Sequence, residues 1–266
     1  MVSYKGVIRK MQVEHTDPVS YYLTLGDVKL NMNQLIGSHL KLRYLNQINC
    51  IDCGRITKKS FAQGFCYPCF LNSPMNSECI IRPELCEAHL GKGRNAEWER
   101  KHHMQEHLVY LAESGGLKVG VTRHDQIPTR WLDQGARKAI VIARTPYRQL
   151  AGMIELHLKQ FLSDKTHWQR MLKNTIIENL DLQIEKDKVR GYLTPEFEPY
   201  FSLNDNIVDI VYPVISYPDK IKSIKLDKQD LIEGILTGIR GQYLYFDNHV
   251  INIRSHSGYN VALELN

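Results

Sequence analysis

"HLVYLAESGGLKVGVTR", residues 107–123, reads as two short apolar strands joined by the polar turn Glu113-Ser114-Gly115-Gly116. Val109, Leu111, Val119 and Val121 alternate with other residues on either side of that turn, as in a β-hairpin. A regular order follows. "IPTRWLDQGA" has helical spacing, "KAIVIART" is a short buried strand and "YRQLAGMIELHLKQFL" an amphipathic helix. Pro146 stands just before this helix, where its missing N–H costs nothing. The spacing predicts a further helix over "THWQRMLKNTIIENLDLQI", with Ser163 or Asp164 as its cap. Residues 108–186 therefore read as an α/β domain built strand, strand, helix, strand, helix.

The flanks are different in character. Residues 1–48 carry strand patterning in "VSYYLTLGDVKLNM" and "LIGSHLKLRYL". Residues 187–266 return to strands in "GILTGIRGQYLYFDNHVINIR", where glycines punctuate apolar alternation. "LIGSHLKLRYL" and "GIRGQYLYF" are alike, so the two ends are expected to pair into one β unit. Residues 49–107 are rich in Cys, His, Pro and Asn and have no clear period, so their order needs another source. The expected fold class is α+β.

A chain of 266 residues with 43% hydrophobic and 24% charged residues is ordinary for a globular protein. No run approaches the roughly 18 apolar residues of a membrane span. The start "MVSYKGVIRK" has no apolar signal core, so the expectation is a cytoplasmic protein without a membrane partner. Net charge is +5, and residues 90–150 hold 11 Lys/Arg against 6 Asp/Glu, a surplus equal to the whole excess. A basic middle between neutral ends is an electrostatic footprint for a polyanion. Arg123 lies in it, and "SDKTHWQRMLKN" adds Lys165, His167, Trp168, Arg170 and Lys173, cations beside an aromatic that suit phosphate contact and base stacking.

In a chain without a secretion signal, six cysteines argue for metal rather than disulfides. Cys50, Cys53, Cys66 and Cys69 form C-x2-C-x12-C-x2-C, two knuckles that deliver four thiolates to a tetrahedral Zn²⁺. Gly54 follows the first pair and permits its turn. Four protein ligands leave no open position, so this zinc is structural. Cys79 and Cys86 remain, with His89, His102, His103 and His107 behind them. His103 and His107 are four residues apart, which on a helix puts both imidazoles on one face, so Cys79, Cys86, His103 and His107 make a second Cys2His2 set. His89 competes for a place, because Cys86-x2-His89 is also ligand spacing.

From Tyr110 to Glu155 the chain resembles the GIY-YIG nuclease superfamily. "LVY" at 108–110 and "KVG" at 118–120 stand for the two name-giving tripeptides, Arg130 in "PTRW" for the helix arginine and Glu155 in "GMIELHLK" for the glutamate. Leu108 replaces the first glycine and Lys118 the second tyrosine, and His167 or Asn174 stands for the later asparagine. The chain as a whole resembles the DUF2797 family, through phrases such as "GGLKVGVTR", "IPTRWLDQGA" and "SDKTHW". The first resemblance implies phosphodiester hydrolysis. Such a reaction needs an activated water, a metal for developing charge and a cation on the phosphate. Glu155 would ligate one Mg²⁺, Arg130 would hold the scissile phosphate, and Tyr110 would act as base or orient the water. Lys118, on the same side of the hairpin, would hold phosphate or lower the tyrosine's pKa. The competing readings are a non-catalytic DNA- or RNA-binding module on the same scaffold and an enzyme acting on a small molecule.

Overall fold

A computed structural model of the chain describes residues 2–204, 206–247 and 249–265. Six strands come first: β1 (Val2–Val7), β2 (Gln12–Glu14), β3 (Ser20–Leu25), β4 (Val28–Asn31), β5 (His39–Asn49) and β6 (Ile56–Thr57). Helices α1 (Tyr67–Asn72) and α2 (Ala96–His103) flank a run of short 3-10 turns. The middle is β7 (His107–Glu113), β8 (Leu117–Arg123), α3 (Thr129–Asp133), β9 (Lys138–Thr145) and α4 (Arg148–Leu158). Then come α5 (Trp168–Leu172), α6 (Leu182–Arg190) and β10 (Val208–Asp209). Strands β11 (Leu231–Arg240), β12 (Tyr243–Phe246), β13 (Val250–Asn252) and β14 (Tyr259–Leu265) close the chain.

These elements form two compact units, one from residues up to Leu71 together with those from Val211 on, the other Asn72–Ile210. In the first, β5 lies between β14 and β11 in an antiparallel sheet of order β1-β14-β5-β11-β12-β13, with β6 paired to β5 as well. Leu42 stands opposite Leu263 on one side and Ile232 on the other, and all three are buried. The ends of the chain do pair, Val2 opposite Leu265 through Val7 opposite Asn260. Strands β2, β3 and β4 make a separate antiparallel sheet. The grouping also cuts residues 49–107 in two: Cys50 to Cys69 belong with the flanking strands, Cys79 to His103 with the central unit.

The second unit is built on an antiparallel sheet of order β10-β9-β7-β8. The hairpin pairs without interruption from His107 opposite Arg123 to Glu113 opposite Leu117. Because side chains alternate across a strand, Val109 and Leu111 go to one face and Leu108, Tyr110 and Ala112 to the other. The first face is the core, where Val109, Leu111, Val119, Ile140 and Ile142 pack on Ala151, Ile154 and Leu158 of α4 and on Leu182 and Val189 of α6. On the second face the Tyr110 ring crosses its partner Gly120, and a Cβ there would lie 2.6 Å from the phenol oxygen. Only glycine fits beneath it.

The single long helix expected after Asp164 is instead two, α5 and α6. Asn174 and Asn179 hold φ of 54° and 57°, left-handed values that a right-handed helix cannot pass through. Neither Ser163 nor Asp164 caps α5; Ser163 Oγ accepts from Lys165 N at 3.1 Å, and the cap position is His167, with no side-chain bond. Asp181 caps α6, accepting from Gln183 N at 2.8 Å and Ile184 N at 3.3 Å.

Helix α4 rests on the turn Pro83–Leu85 through Gly152, whose added Cβ would lie 2.2 Å from Glu84 N and 2.4 Å from Pro83 C. Both are backbone atoms and cannot swing aside. Gly152→Ala is expected to destabilise the unit by about 1–3 kcal/mol, the usual cost of overpacking, and thermal melting measures it. An unchanged melting temperature would contradict the tight docking of α4.

Candidate functional site

Among the described residues two clusters of metal-ligating side chains form, one in each unit. In the first, the sulfurs of Cys50, Cys53, Cys66 and Cys69 all lie within 4.8 Å of one another, with Cys53 and Cys66 at 3.7 Å. Gly54, at φ 73°, donates its N–H to Cys50 O at 2.9 Å and makes the turn of the first pair. Burial opposes ionisation of Cys50, yet the backbone N–H groups of Cys53, Cys66 and Asp52 outweigh it and bring the thiol down to about 7. All six cysteines are free of disulfides.

The second cluster is Cys79, Cys86, Glu99 and His103, all buried, with donor atoms again within 4.8 Å of one another. His103 Nδ1 lies 3.4 Å from Cys86 Sγ, 3.9 Å from Cys79 Sγ and 2.5 Å from Glu99 Oε2. Glu99 Oε1 is buried without a hydrogen-bond partner among the described residues. The Cys86 thiol, with His103 and Ser77, draws Cys79 down to about 4, while Cys86 itself is pushed up. Two sulfurs, an imidazole nitrogen and a carboxylate oxygen within 4.8 Å of one another are a donor set that suits Zn²⁺.

The fourth donor is therefore Glu99 rather than His107. Helix α2 stops at His103, Met104 leaves helical geometry at ψ 55°, and His107 opens β7 instead of continuing the helix. Its Nδ1 bonds Gln105 O at 2.8 Å, and burial holds the ring neutral by lowering its pKa to about 3. His89 is outside the set too, stacked on Tyr147 at 5.2 Å, and His102 stacks on Trp98 at 4.0 Å. The i, i+4 pair on one helix face lies one turn earlier than His103 and His107: Asn95 Oδ1 caps α2 by accepting from Trp98 N, so Glu99 and His103 share a face.

A third group lies on the outer face of the hairpin. The Gln134 amide, turned with its nitrogen toward Tyr110 Oη at 2.7 Å, accepts from Arg130 Nη2 at 3.2 Å and Nε at 3.3 Å. Lys118 Nζ lies 3.4 Å from the same amide and 3.5 Å from Thr166 Oγ1. Ser163 pairs with Lys118 along the edge of β8, which carries Asp164 and Thr166 toward it. Lys159 bridges Glu155 Oε2 at 3.7 Å and Asp164 Oδ2 at 3.2 Å. Burial and then the Arg130 charge lower Lys118 to about 8, with Glu155 and Asp164 opposing. Burial raises Glu155, against the charges of Lys159 and Lys118. Tyr110 has no exposed surface; burial raises its pKa, Arg130 works the other way, and Glu155 adds to the rise.

Tyr110, Lys118 and Arg130 thus gather around the Gln134 amide in one group, to which Glu155 is coupled by its charge. Gln134, Lys159, Asp164 and Thr166 join it; sequence reading passed over them because uncharged or paired side chains on short connections carry no spacing signal. Lys165 and His167 are exposed and Trp168 half-buried on the segment that follows Thr166. Arg123 is at the far end of β8 from Lys118, paired with Asp125 at 3.2 Å.

The sequence profile described as "Protein of unknown function (DUF2797)" matches residues 37–261, most of both units. The chain belongs to the DUF2797 family. No curated protein matches the chain, and no solved structure does. No helix among the described residues of this DUF2797 protein is long and apolar enough to cross a membrane.

Protein purified without added metal is expected to carry two zinc ions per chain by elemental analysis. Glu99→Gln or His103→Ala should lower the content to one, and His107→Asn should leave it at two; loss of zinc in the last variant would return His107 to the ligand set. Cys53→Ser should release the first zinc and lower the melting temperature, because structural zinc contributes folding energy directly.

Proposed function

We propose that this DUF2797 chain is a zinc-stabilised nucleic-acid-binding protein whose second unit works as a GIY-YIG-like, metal-dependent phosphodiesterase. The observation that carries the reading is the convergence of Tyr110, Lys118, Arg130 and Glu155, which arrive from β7, β8, α3 and α4. The order β7-β8-α3-β9-α4 is the one that the GIY-YIG resemblance implies. These are the four residues that the resemblance itself marks for the chemistry.

Arg130 would hold a phosphate oxygen through its planar fork, held in turn by Gln134. Lys118, charged below about pH 8, would add a second cation beneath it. Tyr110 would orient the attacking water or take its proton, with its hydroxyl fixed by the Gln134 amide. Glu155 and Asp164 already share one cation, Lys159, so the pair suits a divalent ion in that place. Mg²⁺ held there would take up charge developing on the phosphate.

Two features favour the non-catalytic reading instead: Tyr110 is fully buried and Glu155 is ion-paired. Labelled DNA and RNA incubated with the protein, with and without Mg²⁺, separate the two. Cleavage that requires Mg²⁺ and disappears in Glu155→Gln, with binding and melting retained, supports the enzyme; binding without cleavage of any substrate supports the module. In either case affinity is expected to drop steeply between roughly 50 and 200 mM salt as counterions are released. Binding to no DNA or RNA form at low salt would reject both.

A pH series provides a separate check. Lys118 loses its charge as pH rises through about 8, so nucleic-acid affinity should fall across that range. In Lys118→Gln the affinity should start lower and stay flat over the same interval. An unaltered pH profile in that variant would remove Lys118 from the phosphate site.

A further inference from the structure

The face of the sheet that carries Tyr110 also holds a cavity of about 420 Å³. Its apolar wall is Leu108, Ile127, Trp131, Val141 and Val208. Strand register fixes its place. Leu108 stands opposite Arg144, Tyr110 opposite Val141, and Val208 opposite Ala139, which in turn faces Ala112. Leu108 is two strand residues from Tyr110 on the same face, a step of about 7 Å. Ile127 and Trp131 flank Arg130 in the chain. Cavity and cationic cluster are neighbours.

Trp131 carries the second observation. Only 2% of it is exposed, and its indole N–H is buried without an acceptor among the described residues. A buried donor left unpaired is unfavourable, and Trp131 is also one of the residues that line the cavity. Asn204, another lining residue, is held in place from behind. Lys186, fully buried, donates to the Asn204 carbonyl at 2.6 Å and sits 5.3 Å over the Phe201 ring. Asn204 in turn accepts from Asn206 N at 2.9 Å and donates its own N–H to Ser202 Oγ at 3.3 Å. The exposed Asn206 lines the rim with a side chain able to donate and accept.

The occupant that fits has apolar faces, acceptor atoms on its edge and a phosphate about one nucleotide away. We propose that this cavity receives one base of a nucleic-acid strand whose adjoining phosphate sits on Arg130 and Lys118. The proposal rests on the nucleic-acid reading and adds how the strand is seated: out of the stack, with its edge toward the Trp131 N–H.

The test compares binding of a short oligothymidylate with that of a fully abasic strand of equal length and charge at about 50 mM salt. The base-bearing strand should bind roughly tenfold more tightly, in the range that single-base stacking gives. Val208→Trp, which fills the cavity from its edge strand, should reduce the base-bearing strand to the abasic level and leave the abasic strand unchanged. Asn206→Ala, on the exposed rim, should move affinity the same way by a smaller factor, and serves if Val208→Trp melts abnormally. Arg130→Ala should weaken both strands alike. Equal wild-type affinity for the two strands, or a Val208→Trp or Asn206→Ala variant that keeps the full wild-type preference for bases, overturns the cavity while nucleic-acid binding stands. Binding of neither strand overturns the nucleic-acid reading itself, and the base site with it.

Discussion

Strand β7 has a neighbour on each edge and packed side chains on each face, so all seven residues from His107 to Glu113 are buried. Its pairing with β8 decides which side chains enter the core and which enter the cluster. A slip of one residue would exchange Val109 and Leu111 for Leu108 and Tyr110, placing a phenol in the aliphatic core. The contact of the Tyr110 ring with Gly120 forbids that slip, because any other residue at 120 would displace the ring. Core packing, the phenol's position and the neighbouring cavity therefore all depend on one cross-strand pair. The bulge in β9, where Tyr110 meets Val141 after Val109 meets Ala143, turns Ile142 and Ala143 both to the core and leaves Val141 to the other face.

The second metal cluster is tied to the same arrangement through α4. Arg148, in the first turn of that helix, donates to the Cys79 carbonyl at 3.0 and 2.8 Å and to the Ile80 carbonyl at 3.0 Å. Gly152, one turn on, lies against Glu84. Glu155 follows on the next turn. The segment of 3-10 turns that carries Cys79 and Cys86 is thereby joined to the start of the helix that carries Glu155, so the cluster that suits zinc and the carboxylate are linked by packing.

Much of this was legible because it rests on short-range pattern. The hairpin, β9 and α4 follow from alternation and helical spacing, and Cys50 to Cys69 from ligand spacing that few folds use otherwise. That the two flanks join was expected, but the partners of β5, residues 231–235 and Tyr259–Leu265, lie outside the stretch whose likeness suggested it. What escaped depends on backbone geometry that residue type does not declare. Nothing in "HHMQEH" announces that α2 ends at His103, yet that one boundary exchanges His107 for Glu99 in the ligand set. The break between α5 and α6 turns on two asparagines with positive φ, values asparagine tolerates but does not require. Gln134 and Trp131 gain their roles only from what the sheet places beside them, and no spacing rule reaches that far.

The division of the chain also sets an order of assembly. Asn72–Ile210 is continuous, so all its strand partners are present once about its last residue has been made. Strand β5 has no such independence: its partners β11 and β14 lie about 190 and 220 residues further along the chain. During synthesis on the ribosome β5 waits for β11 and β14, with only β6 available to pair with its end, while the whole central unit emerges and folds. The four cysteines that follow it, all present by residue 69, can close around a metal during that interval. A zinc ion bound at that stage would shorten the free chain around β5 and hold β6 beside it, making metal supply a determinant of folding yield as well as of final stability.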